Sequence, residues 1–265
     1  VIDLHNVLRS RILGMLFRAT GLRVSVMDKG RKDKRKLIRR KIFKPLKPTL
    51  SRYLDAFRNT GLDYRSPETP VINIPSKDRE DARVFIENTS PEAKIRIGMA
   101  PFALHALKTW PEENTRKLIS LLVEQAGADI FLFGGGKEES VRLKELASGI
   151  NRCYSMAGEL SLGGGLGLMG YMKCMITMDS SNMHMAALTG TPCFTIWGAT
   201  HPYAGFAGYR QPEDHHIQVS GETLTCRPCT VFGKGNCHRG DFACMHWITP
   251  EMVYDRLNQL GYLTT

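Results

Sequence analysis

The sequence predicts an α/β protein organised around a doubly wound parallel sheet. From residue 95 onward, apolar segments of strand length alternate with segments of helix length, which is the order that builds a parallel sheet covered by helices. The stretch 174–202 contains one such unit: a strand at 175–178, a polar corner, a helix at 183–188 and a second strand at 193–197. Its polar residues follow the strand ends, and this edge of a parallel sheet is where ligands bind.

The composition suits a globular protein with one unusually basic region. The chain has 265 residues, enough for one large or two ordinary domains, and no apolar run approaches the roughly 18 residues of a membrane span. The basic segment, residues 29–48, holds eleven Lys or Arg against the single acid Asp33, so it accounts for the whole formal charge of +10. Such a patch attracts a polyanion or an anionic membrane surface, although a solvated positive face without a partner has the same composition.

The first predicted domain covers residues 1–92. Residues 1–26 suggest strand, helix and strand, with Leu13, Leu16 and Phe17 on one face of the helix. The basic segment has the pattern of an amphipathic helix interrupted by prolines, which is typical of an interfacial membrane binder and equally of a helix beside a basic cleft.

Two further helices, at 52–61 and 78–88, enclose a short apolar strand at 71–74. The pattern resets at 89–94, so we place the boundary between domains 1–92 and 93–265 there. Because Val1 lies inside a predicted strand, we expect an upstream part of the first domain to be absent from this sequence.

The second predicted domain contains five strands and the helices that connect them. The helix that begins at Pro111 has Pro in its first turn and two acids that complement its dipole. The predicted strands are 95–100, 129–133, 153–156, 175–178 and 193–197, and the predicted helices are 111–126, 137–148, 161–171, 183–188 and 250–260.

The polar corner after the strand 175–178 supplies the first candidate ligand-binding residues. These are Asp179, Ser180, Ser181 and Asn182, and His184 follows one helical turn later. Asp and Ser are common helix N-caps, so capping alone is an alternative interpretation. Capping requires neither His184 nor the second polar loop at 198–201, and these favour a binding site.

Two other loops at the same predicted edge contain candidates. Gly134, Gly135 and Gly136 follow a strand and open a helix, so they either contact a phosphate or sugar or form only a tight turn. Lys108 precedes a helix start and could neutralise a diphosphate, although an ordinary surface lysine fits as well.

The segment GLGLMG at 165–170 matches the dinucleotide pattern GxGxxG, but we reject it because no strand immediately precedes it and its apolar residues fit a buried helix.

The cysteine-rich loop, residues 226–244, is a candidate structural metal site. Cys226, Cys229, Cys237 and Cys244 have a spacing that suits tetrahedral zinc, and two disulfides or free packed thiols are the alternatives. The other three cysteines lie in apolar strands and favour a reducing compartment, hence zinc or free thiols over disulfides.

Four segments together resemble glycosyltransferase family 9, the ADP-heptose:lipopolysaccharide heptosyltransferases, in a Bacteroidetes-like form. They are VIDLHNVLRS at 1–10, KTWPEEN at 108–114, MDSSNMHMAALTGTPCFTIWGATHPYAGF at 178–206, and the CRPC-containing tail that ends in ITPEMV at 248–253. The resemblance covers nearly the whole chain.

The resemblance implies a GT-B fold, in which two Rossmann-like doubly wound domains face each other and the N-terminal one is incomplete here. The C-terminal domain would bind an ADP-sugar, and the N-terminal domain would bind a lipopolysaccharide core or lipid A-type acceptor. Members invert the sugar and use no cofactor for catalysis. We accordingly expect this protein to be cytoplasmic and peripheral on the inner membrane, whose anionic surface the basic segment would meet, and we expect no nucleic acid as a partner.

The resemblance also assigns roles to residues. Lys108 matches the family lysine near the donor, and Asp179, Ser180 and His184 match the pattern D-[ST]-G-x-x-H, with Ser181 where most members have Gly. The family's general base would lie upstream of Val1, so this fragment alone is expected to be weakly active or inactive. The implied catalytic residues are Lys108 and Asp179, and the implied substrate-binding residues are Lys108, Gly134, Gly135, Gly136, Asp179, Ser180, Ser181, Asn182 and His184.

Two other functions remain alternatives. Another GT-B enzyme acting on a nucleotide-sugar has the same domain plan. A nucleic-acid-binding protein could use the basic segment, although only one aromatic residue there, Phe43, is available for stacking on bases.

Overall fold

The structure is a computed structural model that describes residues 1–264, and the chain forms two compact units. The first unit comprises Val1–Pro67 with Pro202–Ala207, and the second comprises Glu68–His201 with the described residues from Gly208 onward. The units therefore divide at residue 67, whereas the sequence suggested a boundary near residue 92. The assignment of the units to acceptor and donor stays a prediction.

The helix at 76–89 explains the position of this division. It packs on the glycine-rich helix at 162–169, which belongs to the second unit. The two backbones approach so closely that a Cβ atom added to Gly167 would lie 3.0 Å from the carbonyl oxygen of Asp78. Gly167 of the rejected GLGLMG pattern thus serves helix packing, and no local sequence pattern around residues 76–89 revealed this contact.

The first unit begins with strand, helix and strand, as predicted. Strands β1 and β2 pair in parallel, and Leu13, Leu16 and Phe17 of α1 are exposed. The elements are β1 (Ile2–Asp3), α1 (Leu8–Ala19), β2 (Ser25–Val26), α2 (Arg31–Ile38) and α3 (Thr49–Arg58).

Helix α2 is the amphipathic helix predicted in the basic segment. Leu37 is fully buried and forms a small core with Leu46 and Ala204, while Arg31, Lys32, Arg35 and Lys36 are exposed. The helix ends at Ile38, before the two prolines.

The second unit contains a six-stranded sheet and its helices. The elements are α4 (Ser76–Thr89), β3 (Arg96–Ala100), α5 (Glu112–Ala126), β4 (Asp129–Leu132), α6 (Lys137–Ala147), β5 (Cys153–Ser155), α7 (Leu162–Met169), β6 (Cys174–Met178), α8 (Ser181–Thr189), β7 (Cys193–Ile196), β8 (His216–Ile217), α9 (Ala243–His246) and α10 (Pro250–Gln259). All five predicted strands of this domain are present, and β8 is an additional short one.

The sheet confirms the predicted doubly wound architecture. Its strands lie in the order β5-β4-β3-β6-β7-β8, and every pair is parallel. The chain adds strands outward from β3 on one side and then returns to add β6 on the other, so the topological switch point lies between β3 and β6. In open parallel sheets the crevice at the carboxyl end of this point is the usual ligand site.

One predicted strand is wrong. Residues 71–74 have no strand pairing in the described structure, although the backbone N–H of Val71 donates to the carbonyl oxygen of Leu188 at 2.8 Å. Pro70 and Pro75 flank the segment and lack the N–H groups that a strand needs.

In residues 1–264, no helix is long and apolar enough to cross a membrane.

Candidate functional site

Lys108 and Asp179 meet at the switch point of the sheet. Lys108 ends a 3₁₀ turn in the loop after β3, and Asp179 directly follows β6, the neighbouring strand. The Lys108 Nζ atom lies 3.3 Å from the Asp179 Oδ2 atom, and their side chains are only 14% and 11% exposed. Lys108 is therefore a largely buried, paired cation rather than a solvated surface lysine. The pair places both charges where a polar ligand at this edge would contact them.

The N-terminus of α8 lies beside this pair and lacks a side-chain cap. Ser180 occupies the N-cap position in extended conformation, yet its side chain makes no capping hydrogen bond. Its Oγ atom is buried and has no hydrogen-bond partner among residues 1–264. Capping alone thus does not explain the polar corner, because the residue in the cap position does not cap. An uncapped N-terminus leaves backbone N–H groups available to an anion.

The remaining residues of the predicted corner lie on α8. Ser181 is the first residue of α8 and is exposed, Asn182 is half-buried, and His184 is exposed on the same helix. Although His184 is exposed, nearby protein atoms partly desolvate its imidazole and lower its pKa, and the charge of Asp179 opposes that shift. Ser181 adopts ordinary helical backbone, so the chain here does not require the Gly that the family pattern has.

In the glycine turn after β4, Gly134–Gly136, neighbouring side chains of α6 already contact two of the three glycines. The backbone N–H of Gly135 donates to the Oε2 atom of Glu139 at 2.7 Å, and a Cβ atom on Gly134 would lie 2.7 Å from Leu143. Gly136 adopts a positive φ of 85° at the start of α6. The tight turn is thereby explained, and contact of Gly134–Gly136 with a ligand stays a prediction.

The cysteine-rich loop packs against the core of the second unit. Cys226, Cys229 and Cys237 are half-buried against it, and Cys244 is buried. Burial, reinforced by Cys226 and Cys237, raises the pKa of Cys229 to about 11, and burial raises that of Cys244 to about 12. All seven cysteines are free thiols. Across residues 1–264, no group of three or more ligating side chains is arranged to hold a metal.

Two basic side chains in the first unit are buried. Arg52 is 5% exposed and its NH1 atom pairs with the Oδ2 atom of Asp28 at 2.9 Å. Lys34 is 8% exposed, and its Nζ atom lies 4.1 Å from the ring centre of Phe206. Burial and the neighbouring charge of Arg52 lower the pKa of Lys34 to about 8. The basic segment therefore includes partly desolvated charge as well as a solvated face.

Two residues at the edge of the sheet were not among the individual sequence-based candidates, although Thr200 lies in the polar loop 198–201 that the sequence singled out. Thr200, in the loop after β7, is 1% exposed, and within the described part of the chain its Oγ1 atom has no hydrogen-bond partner. Arg227 is fully buried and binds the same loop. A charged residue between Cys226 and Pro228 is a signal that could have drawn attention to Arg227.

The parallel strand order of the second unit defines a Rossmann-like domain, and charged and polar groups lie at its switch point, where such domains usually bind ligands. The comparison with known families is more specific. The profile of glycosyltransferase family 9 (heptosyltransferase) matches residues 1–235, and the chain belongs to this family.

Individual relatives agree with that assignment. The lipooligosaccharide heptosyltransferase 2 of Haemophilus influenzae is 29% identical over 204 residues, covering 72% of this chain and 55% of the relative. The glycosyl transferase family 9 structure from Veillonella parvula has a TM-score of 0.71 at 19% identity, covering 95% of this chain and 66% of that one. The E. coli heptosyltransferase WaaC with ADP-2-deoxy-2-fluoro heptose has a TM-score of 0.54 at 22% identity, covering 80% of this chain and 56% of that one. The chain thus spans about half the length of the heptosyltransferase sequences it matches.

Proposed function

We propose that this protein transfers a heptose, or a related sugar, from an ADP-sugar to a lipopolysaccharide-type acceptor with inversion at the sugar. The observation that carries the proposal is the Lys108–Asp179 pair beside the uncapped N-terminus of α8. Membership of glycosyltransferase family 9 supports the reaction class. The WaaC structure with an ADP-heptose analogue supports the nature of the donor.

The proposed reaction is a direct displacement. The oxygen of an acceptor hydroxyl attacks the anomeric carbon, the bond from that carbon to the diphosphate oxygen breaks, and ADP leaves with the electron pair. The hydroxyl proton passes to a base. Negative charge grows on the diphosphate during this step, and Lys108 and the N–H groups at Ser180–Asn182 stabilise it. Asp179 orients sugar hydroxyls or supports the positive charge that develops on the sugar ring, and no catalytic cofactor takes part.

The basic segment is proposed to meet the acceptor and the membrane. Its exposed cations are Arg31, Lys32, Arg35, Lys36, Arg39, Lys41, Lys44 and Lys47. Phosphate groups on a lipid A-type acceptor and on the cytoplasmic face of the inner membrane carry the complementary charge. We expect the chain to sediment with vesicles containing anionic lipid, less so as salt rises, and equal sedimentation with neutral vesicles would contradict this.

A structural zinc ion in the cysteine-rich loop is a separate proposal. The spacing of Cys226, Cys229, Cys237 and Cys244 supports it. The positions of the thiols do not by themselves form a ligand set, and no step of the reaction depends on the metal.

The donor site is tested by calorimetric titration with ADP and ADP-heptose. Lys108→Met retains the side-chain stem and removes the charge, and Asp179→Asn retains the shape and removes the charge. Lys108→Met is expected to weaken binding of ADP and of ADP-heptose about tenfold to a hundredfold, because a hydrogen bond to a charged group is worth about 1.5–3 kcal/mol. Asp179→Asn is expected to weaken ADP-heptose binding by the same range and to leave ADP binding unaffected, because Asp179 acts on the sugar. Lys144→Met, an exposed position on α6, is the matched control and should bind as the wild type does.

Three outcomes would overturn the proposal. No binding of any ADP-sugar by the wild type would remove the donor site. Tighter binding of a UDP-sugar than of ADP-heptose would favour another GT-B nucleotide-sugar enzyme. Steeply salt-dependent binding of nucleic acid without any ADP-sugar binding would favour a nucleic-acid-binding protein.

A further inference from the structure

Arg227 is a fully buried guanidinium that is saturated with hydrogen bonds. Its Nε atom donates to the carbonyl oxygen of Gly198 at 2.9 Å, and its NH2 atom donates to those of Trp197 at 3.2 Å and Thr200 at 2.9 Å. Its NH1 atom donates to the carbonyl oxygen of Val219 at 2.7 Å and to Gln218 Oε1 at 3.0 Å. Five donors in a fixed planar fork are the full capacity of this side chain.

Three of these bonds fix the loop that follows β7. Strand β7 pairs with β6, and Ile196 lies opposite Met178. One residue further along each strand, Trp197 is level with Asp179, and the loop 197–200 continues along the same edge of the sheet. Because three carbonyl groups of this loop turn inward to one cation, the backbone of the loop is held in a single arrangement beside Asp179.

The cysteine-rich loop, which contains Arg227, also contacts Lys108. The backbone N–H of Cys229 donates to the carbonyl oxygen of Ala199 at 2.9 Å, and that of Ala199 donates to the carbonyl oxygen of Leu107 at 3.3 Å. Gly233 lies directly against the Lys108 side chain, since a Cβ atom there would be 2.5 Å from the Lys108 Cγ atom. Residues 226–233 therefore support the loop on one side and the stem of the lysine on the other.

We propose that Arg227 is a positioning residue for the donor site. It acts through the loop 197–200 and the Leu107–Lys108 backbone, and it holds Lys108 and Asp179 in the arrangement that receives the diphosphate. This inference rests on the proposed function, in which that edge binds an ADP-sugar. The hydrogen bonds of the guanidinium go to four backbone carbonyls and to Gln218, so it acts through the backbone and not by touching the ligand.

The test compares Arg227→Lys with Arg239→Lys, an exposed arginine of the same cysteine-rich loop that pairs with Asp241. ADP affinity is measured by calorimetry at a temperature where circular dichroism finds each variant folded. A lysine has no planar fork and cannot serve three loop carbonyls in the same geometry. We expect ADP binding to weaken about tenfold or more in Arg227→Lys and to stay unchanged in Arg239→Lys.

A purely structural role predicts a different result. In that case Arg227→Lys lowers the melting temperature but binds ADP with wild-type affinity in its folded form, and this outcome overturns the proposal. Failure of the proposed function looks different, because in that case the wild type itself does not bind ADP. Failure of the role proposed for Arg227 is seen only when the wild type binds ADP and Arg227→Lys binds it equally well.

A second variant covers the case in which Arg227→Lys does not fold. Gly233→Ala removes none of the donor or acceptor atoms of the five Arg227 hydrogen bonds. It places a methyl group against the Lys108 side chain and also strains a backbone with a φ of 85°, so Gly235→Ala, at a φ of 104° with no described atom within 4 Å of the added Cβ, is the control for strain and should bind ADP as the wild type does. We expect weakened ADP binding in Gly233→Ala, and wild-type affinity would contradict the role of the cysteine-rich loop in holding Lys108.

Discussion

Substitution of Gly167 tests the close packing of α4 on α7. A Cβ atom at Gly167 would lie 3.0 Å from the carbonyl oxygen of Asp78 and 3.2 Å from the Cβ atom of Ala82, whereas a Cβ atom at Gly165 meets nothing within 4 Å. Alanine gains about 1 kcal/mol over glycine in a helix interior at both sites. Overpacking against backbone costs about 1–3 kcal/mol, and only Gly167→Ala incurs it. We therefore expect Gly167→Ala to be about 2 kcal/mol less stable than Gly165→Ala.

Urea unfolding followed by tryptophan fluorescence measures this difference. The three tryptophans, Trp110, Trp197 and Trp247, all lie in the second unit, so the signal reports that unit alone. The midpoint should differ between the variants while the slope stays equal. Equal stability would refute the helix contact as described. Both variants should keep wild-type ADP affinity, and loss of binding in Gly165→Ala would restore a dinucleotide-binding role for the GLGLMG pattern.

Two further predictions concern the first unit and the cysteine-rich loop. The pKa of Lys34 is about 8 in the folded protein against an ordinary value of 10.5, so below pH 8 the fold carries the full penalty of a desolvated ammonium. Between pH 8 and 10.5 only the unfolded chain binds the proton, and stability rises with pH. Lys34→Met should accordingly stabilise the unit by about 1–3 kcal/mol at pH 7, and this gain should shrink as the pH rises above about 8. Hydrogen exchange of α2 between pH 7 and pH 9 measures the difference, with exposed Lys36→Met as control. A destabilised variant at pH 7 would contradict the penalty. For the cysteine-rich loop, zinc analysis of the purified protein should give about one ion per chain if the four thiols bind the metal, and Cys237→Ser should lose it. The metal site would be refuted if the purified protein contained no zinc and if treatment with a chelator left its stability unchanged.

The candidate site was predictable from sequence as a set of residues, because strand ends in a parallel sheet share one edge. Asp179 follows a run of five buried residues, Cys174–Met178, and Lys108 follows the strand that ends at Ala100, so both positions could be assigned to that edge. The ion pair between them was not predictable. It depends on β3 and β6 being neighbours, and residues 71 positions apart carry no local signal of that adjacency.

The role of Arg227 was equally inaccessible to sequence reasoning. Four of its five partners are the backbone carbonyl groups of Trp197, Gly198, Thr200 and Val219, and the fifth is the side-chain oxygen of Gln218. Because every residue type has the same backbone carbonyl, no side-chain pattern marks those four positions. The motif CRPC drew attention to the thiols, while the charged residue between them makes the contacts that fix the loop after β7.

The sequence by itself determined the α/β class, five strands of the second unit, and the polar corner at residues 179–182. These follow from local periodicity, turn residues and the order of apolar segments, which are properties of neighbouring residues. Only the tertiary structure decided that α4 packs with the second unit, that residues 202–207 join the first, and that Lys108 meets Asp179. Those outcomes depend on the burial of surfaces from segments far apart in sequence. The free energy of such contacts depends on both segments together, so the residue pattern of one segment alone does not predict it.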